Sequence, residues 1–402
     1  MVDSVHRSAV RPEPAGGSHR TRTVGRPRLF EDHPAPSRTG NHARLTQGSK
    51  HRNRSVAVVN SGAPDPASSF SLPVPDVLGD DYESLTFPLP ADEEGELVAT
   101  VVRRRHPGAT RAALYVHGFT DYFHQTSLAD FHLARGESFY AIDLHKYGRS
   151  LRPHQTPYRM ADVSEYYPEL EAAADLIAAD GHDDLVVSAH STGGLITALW
   201  LHDRRATPSP PGGPTITALV LNSPFLALPA NWLVRTLAGP SVTLLAQRRP
   251  LAVLPTGGLG LYGPSIHATE YGEWTFDLTW KPVAGGPVRA EWYAAASRAI
   301  GRVAAGLDVG TPVLTLLSDK AVRATKWTEE AFTGDTVLDP DALAQACVRL
   351  GAHVTCVRIV DGMHDLLLSR APARERTLTE MGRWLDAYAR TDSPTPHSPA
   401  TR

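Results

Sequence analysis

Leu185-Val186-Val187-Ser188-Ala189-His190-Ser191-Thr192-Gly193-Gly194-Leu195-Ile196 is the stretch on which the reading of this 402-residue chain turns. The run LVVSA is continuously apolar or small, the pattern of a strand buried on both faces of a parallel sheet. A helix follows at once, leaving Ser191 on the turn between the two. A serine on such a turn is held in a strained backbone conformation, which persists only where its neighbours leave room. The usual pattern has glycine two residues before and two after; here Ala189 and Gly193 fill those positions, and alanine still fits. The turn lifts the hydroxyl above the sheet and aims the free N–H groups of the helix start at whatever reacts there. Ser191 is therefore the candidate nucleophile.

Working outward, apolar runs recur at Tyr82–Pro88, Glu96–Arg103, Ala112–His117, Phe139–Asp143, Ala218–Leu221, Pro312–Leu317 and Val354–Val360. Amphipathic stretches separate several of them; Glu165–Ala179 places Leu170, Ala173, Ala174 and Ile177 on one face. This alternation predicts an α/β fold with a doubly wound, mostly parallel sheet, opened by an antiparallel pair of strands. Residues 226–308 break the rhythm. They hold four of the seven tryptophans (Trp232, Trp274, Trp280 and Trp292) and are too long for a connecting loop, which predicts an inserted cap (lid) over the carboxyl edge of the sheet.

The ends read differently. Residues 1–55 carry eleven Lys/Arg against four Asp/Glu, and residues 1–75 show neither helical nor strand period, so a disordered basic tail is expected before a domain over 76–390. Residues 391–402 read as a second tail. The basic segment has one aromatic residue, Phe30, and no series of them interleaved for base stacking, so no nucleic-acid partner is expected. The formal net charge of the whole chain is −3. Two cysteines, Cys347 and Cys356, exclude a disulfide framework and suit a cytoplasmic location. No apolar run reaches the length of a membrane span, and the N-terminus has no secretory h-region.

Two further stretches complete a chemistry. Ala113-Leu114-Tyr115-Val116-His117-Gly118-Phe119-Thr120-Asp121 is a strand that ends in His-Gly. Acyl transfer needs N–H donors waiting where the oxyanion forms. The residue after the nucleophile, Thr192, supplies one, and the loop after this strand supplies the other, assigned to Phe119. Late in the chain, Ile359-Val360-Asp361-Gly362-Met363-His364-Asp365 sets His364 just past the last expected strand, as the candidate general base. The acid that orients it is Asp335, which opens Asp335-Thr336-Val337-Leu338-Asp339-Pro340, or Asp319, at the end of the strand Pro312–Leu317. No histidine or cysteine spacing suggests a metal, and the mechanism calls for no cofactor.

The segments YVHGFTDY, AIDLHKYGRS, SAHSTGGLI, LNSPF, DTVLDP and DGMHD resemble the monoacylglycerol lipase and lysophospholipase branch of the α/β-hydrolases, also called serine aminopeptidase S33-like. The resemblance runs from about residue 80 to 390. It implies an α/β-hydrolase fold, an acyl-chain pocket under the cap, and an acid that opens an Asp-x-Val stretch before a helix. That last feature favours Asp335 and makes Lys320–Gly334 an insertion. The implied partner is a small-molecule carboxylic ester with an apolar acyl group, with transient contact at a lipid surface. Rival chemistries on the same scaffold are peptide or amide cleavage, for which Glu270 and Glu273 would receive a free α-amine, and C–C bond hydrolysis. A ligand-binding protein without turnover is the rival of a different class.

Overall fold

The structure, a computed structural model, describes residues 70–206, 213–228, 239–255 and 260–389. The basic segment through residue 69, the C-terminal residues 391–402 and Trp232 lie outside them.

Nine strands among the described residues make one sheet: β1 (Val74–Asp76), β2 (Gly79–Asp92), β3 (Gly95–Arg104), β4 (Arg111–Val116), β5 (Ser138–Asp143), β6 (Asp184–His190), β7 (Thr215–Asn222), β8 (Val313–Ser318) and β9 (Val354–Ile359). Their order is β1-β2-β3-β5-β4-β6-β7-β8-β9. The first four in space pair antiparallel, and everything from β5 to β9 is parallel. Each of the eight expected runs coincides with one of these strands, with His117, Pro312 and Val360 falling one residue outside. The continuously apolar ones have a simple cause: all six residues of β5 and all six of β8 are buried, with helices over both faces. The strand β1 is new. Composition groups Phe70–Pro75 with the tail, yet Val74 pairs with Ser84, and Ser71 exchanges backbone bonds with Thr86 through its N–H and its hydroxyl.

The helices follow their apolar periods. α1 covers Thr126–Ala134, α2 Tyr167–Ala179 and α3 Thr192–Arg204. The capping box of Asp162 and Glu165 starts a 3-10 turn, Val163–Tyr166, that runs into α2; Pro168 stands in the first turn of α2, whose buried face includes Leu170, Ala173, Ala174 and Ile177. Within residues 226–308 lie α4 (Gly239–Arg248), α5 (Tyr262–Ile266) and α6 (Ala290–Ala305). The buried residues Trp292, Ala295, Ala296, Ala299 and Val303 of α6 share one core with Leu195 and Leu199 of α3. Residues 290–305 therefore pack as a helix against α3, in the chain between β7 and β8. α7 (Pro340–Cys347) and α8 (Ala371–Tyr388) complete the layers.

Candidate active site

Ser191 lies between β6 and α3 with φ +49° and ψ −118°, the strained geometry expected of a strand-to-helix turn. The strain is held by bonds on both sides: its N–H donates to Asn222 O at 3.0 Å, and its carbonyl accepts from Phe225 and Gly194. The small residue at +2 is obligatory. A Cβ on Gly193 would stand 2.3 Å from His117 O and 2.5 Å from Val116 O, so only glycine lets α3 begin this close to the end of β4.

His364 follows β9. Its Nε2 lies 3.2 Å from Ser191 Oγ and its Nδ1 lies 2.9 Å from Asp335 Oδ2. All three are buried, Asp335 completely. Burial alone would raise the carboxyl pKa of Asp335, but the His364 imidazole and the N–H groups of Leu338 and Val337 outweigh it and hold the group below its ordinary value. With Asp335 ionised, Nδ1 carries the proton as donor, leaving Nε2 to accept from the serine hydroxyl.

Asp335 reaches this place by an excursion. Asp335 N–H donates to Lys320 O, Val322 N–H donates to Asp335 O, and Ala321 forms a parallel bridge to Asp335. The chain thus leaves the end of β8 and returns to it, so Asp335 stands where the strand's own continuation would have put an acid. Asp319, the alternative, is engaged elsewhere: its Oδ1 accepts from Asp361 N–H at 3.0 Å, and its N–H donates to Ile359 O. It makes no hydrogen bond to His364.

The N–H groups of Phe119 and Thr192 have no acceptor among the described residues. The loop carrying Phe119 is fixed from behind. His117 Nδ1 donates to Gly118 O at 2.8 Å, and its Nε2 accepts from Leu144 N–H at 3.1 Å. Gly118 O and Phe119 N–H belong to one peptide plane, so this bond orients that N–H. The Phe119 ring packs on Trp292 and Tyr158.

Beside Ser191 lies a buried polar group that the sequence reading missed. Asp121, His190 and Asp365 bring ligand atoms within 4.8 Å of one another. Their charges are met by the chain's own groups: Lys281 Nζ stands 2.7 Å from Asp121 Oδ1, while Asp365 accepts from Asn222, Gln125 and Leu367. The only advance signal was that HGFTD and WKP each carry a charge inside an otherwise apolar or turn-forming stretch.

A model of the family described as "Serine aminopeptidase, S33" matches residues 108–326. That is more than half of the chain, and it spans the His117–Asp121 loop and Ser191. The chain belongs to the serine aminopeptidase S33 family. The S33 chain is also similar in fold to a putative hydrolase from Agrobacterium vitis S4, at 16% identity and TM-score 0.52, covering 75% of this chain and 98% of that one. A soluble variant of monoglyceride lipase from Saccharomyces cerevisiae, in complex with a substrate analog, gives 14% identity and TM-score 0.52 over 75% and 95%. No curated protein matches the S33 chain in sequence. The expected α/β-hydrolase fold and family are thus borne out. Among the described residues no helix is long and apolar enough to cross a membrane.

Proposed function

We propose that this hydrolase cleaves carboxylic esters with an apolar acyl group through an acyl-enzyme on Ser191. The observation that carries the reading is His364, in hydrogen-bond reach of Ser191 Oγ on one ring nitrogen and of Asp335 on the other. His364 takes the hydroxyl proton as the oxygen attacks the ester carbonyl; Asp335 holds the tautomer and stabilises the imidazolium. The N–H groups of Phe119 and Thr192 receive the oxyanion, each donor contributing about 3–4 kcal/mol. His364 returns the proton to the leaving alcohol, then activates the water that releases the acid. No cofactor enters these steps.

A monoacylglycerol- or lysophospholipid-like substrate fits the aromatic wall of Phe119, Trp292 and Phe225 beside the nucleophile. The monoglyceride lipase among the similar structures supports the same class. Peptide cleavage from a free amino end is less well served. Glu273, one of the two residues suited to an α-amine, is paired with Arg370 and Arg374. The inserted stretch 226–308 supplies the cap in this reading, and the free thiols Cys347 and Cys356 fit a reducing compartment such as the cytoplasm.

Intact mass after treatment with a fluorophosphonate tests it. One adduct on the parent and none on Ser191→Ala is expected; a folded parent that takes no adduct refutes the reading and moves the ligand-binding alternative ahead.

A further inference from the structure

The segment Tyr262–Gly286 is bonded to both loops that the proposed reaction needs. Toward the loop after β4, Gly286 N–H donates to Thr120 Oγ1 at 3.0 Å and Asp277 N–H donates to Tyr122 Oη at 2.8 Å. Lys281 Nζ donates to Asp121 at 2.7 Å and to His124 Nε2 at 3.2 Å. Toward the other loop, Trp274 Nε1 donates to Leu368 O at 2.7 Å, and the Tyr262 ring stands edge-on to His364 with centroids 5.3 Å apart.

Lys281 is at the centre of these contacts. It is 3% exposed and Asp121 is 2% exposed, and the ammonium lies over the rings of Phe276 and Tyr262 at 5.2 and 5.7 Å. Burying an ion pair rarely stabilises a fold more than well-packed apolar side chains would, because desolvation of the two charges offsets their attraction. What such a pair does supply is a single geometry. Here it joins the segment that seats His364 to the loop that presents Phe119 N–H, two residues before Asp121.

We propose that Lys281 is a positioning residue: its ammonium on Asp121 locks Tyr262–Gly286 to the loop Gly118–His124, and so holds the Phe119 N–H and the His364 ring in one working arrangement. The segment is then a fixed wall of the active site rather than a part that opens. This rests on the serine-hydrolase reading above.

The test uses the full chain, with Lys281→Met and the double variant Lys281→Met/Asp121→Asn. Three quantities are read: the rate of fluorophosphonate labelling at Ser191, kcat and KM for a short-chain nitrophenyl ester per labelled site, and amide exchange over 118–124 and 274–286. In Lys281→Met, labelling rate and kcat per site fall about a hundredfold, the scale of one displaced oxyanion donor, with KM unchanged. Exchange rises in both segments together. The double variant removes the unpaired buried carboxylate and regains stability, yet keeps the low kcat, and it carries the test if the single variant fails to fold. A role in stability alone predicts parental kcat per labelled site in either variant, and that result overturns the proposal, as does exchange that rises in only one segment. A parent that is not labelled refutes the serine reading and this inference with it. A labelled parent with an unchanged Lys281→Met rate refutes this inference alone.

Discussion

Asp335→Asn separates the two candidate acids, and the structure sets both its direction and its size. Asp335 Oδ1 accepts two backbone N–H groups, from Val337 and Leu338, each at 2.7 Å. An asparagine there must keep its oxygen toward those donors, because its NH₂ group would meet them donor to donor. The NH₂ then faces His364 Nδ1, 2.9 Å away in the parent. It donates, Nδ1 must accept, and the proton moves to Nε2, which faces Ser191 and can no longer act as a base. The fold is undisturbed, since every backbone bond survives. The loss expected is about 10⁴ in kcat, as in the serine-protease triad, or about 5.4 kcal/mol at 1.36 kcal/mol per tenfold. Asp319→Asn should leave kcat within about twofold, because Asp319 holds Asp361 and not the imidazole. The assay is steady-state hydrolysis of a nitrophenyl ester, with active sites counted by fluorophosphonate. Retention of a tenth of parental kcat by Asp335→Asn, or loss of a thousandfold by Asp319→Asn, would refute the tautomer argument.

Three further outcomes follow from the same geometry. Gly193→Ala sets a methyl 2.3 Å from His117 O, so it should cost about 1–3 kcal/mol of stability by overpacking and abolish ester turnover, checked by urea unfolding and kcat. Arg149→Met removes the guanidinium that bonds Asp76 at 2.7 Å and Asp143 at 2.8 Å, leaving buried carboxylates unpaired; a loss of about 3–5 kcal/mol in urea unfolding is expected. Burial and the Lys281 ammonium push the His124 pKa down to about 3, so the folded state keeps the ring neutral while the unfolded chain protonates it near 6.5. Its stabilising effect is full above pH 6.5 and is lost as pH falls toward 3. Between pH 6.5 and 5 this group alone should remove about 1.6 kcal/mol, and His124→Asn should flatten that part of the curve in urea unfolding at the two pH values.

Most of the sheet was legible because a strand buried on both faces has to be apolar throughout, and LVVSA, ALVL and their like have no other comfortable place. Ser191 and His364 were legible for a similar reason: each stands at the carboxyl end of a strand whose residues announce themselves. Asp335 was harder. Its position depends on a thirteen-residue excursion, Val322–Gly334, whose return to β8 leaves no periodic trace in sequence. The Lys281–Asp121 pair was not foreseen at all, since 160 residues separate the partners and each alone reads as an ordinary surface charge. The strand β1 escaped because three residues are too few to show a period of two. The acidic pair Glu270 and Glu273 drew attention as carboxylates within the expected cap, and that placement could not show that two arginines from the start of α8 and the residue before it take up Glu273.

The short reach of β1 along β2 has a bearing on how copies of the chain meet. The N–H and C=O of Thr86 point away from β3, toward Ser71, and by the two-residue alternation of a strand the same outward direction falls to residue 88. That residue is Pro88, followed at the next outward position by Pro90, and neither has a hydrogen to give. A strand from another molecule approaching this margin past Thr86 would find acceptors without donors. An open margin of a nine-stranded sheet is the natural seed for fibrils and runaway association; here the template is spoiled along the half that β1 leaves uncovered.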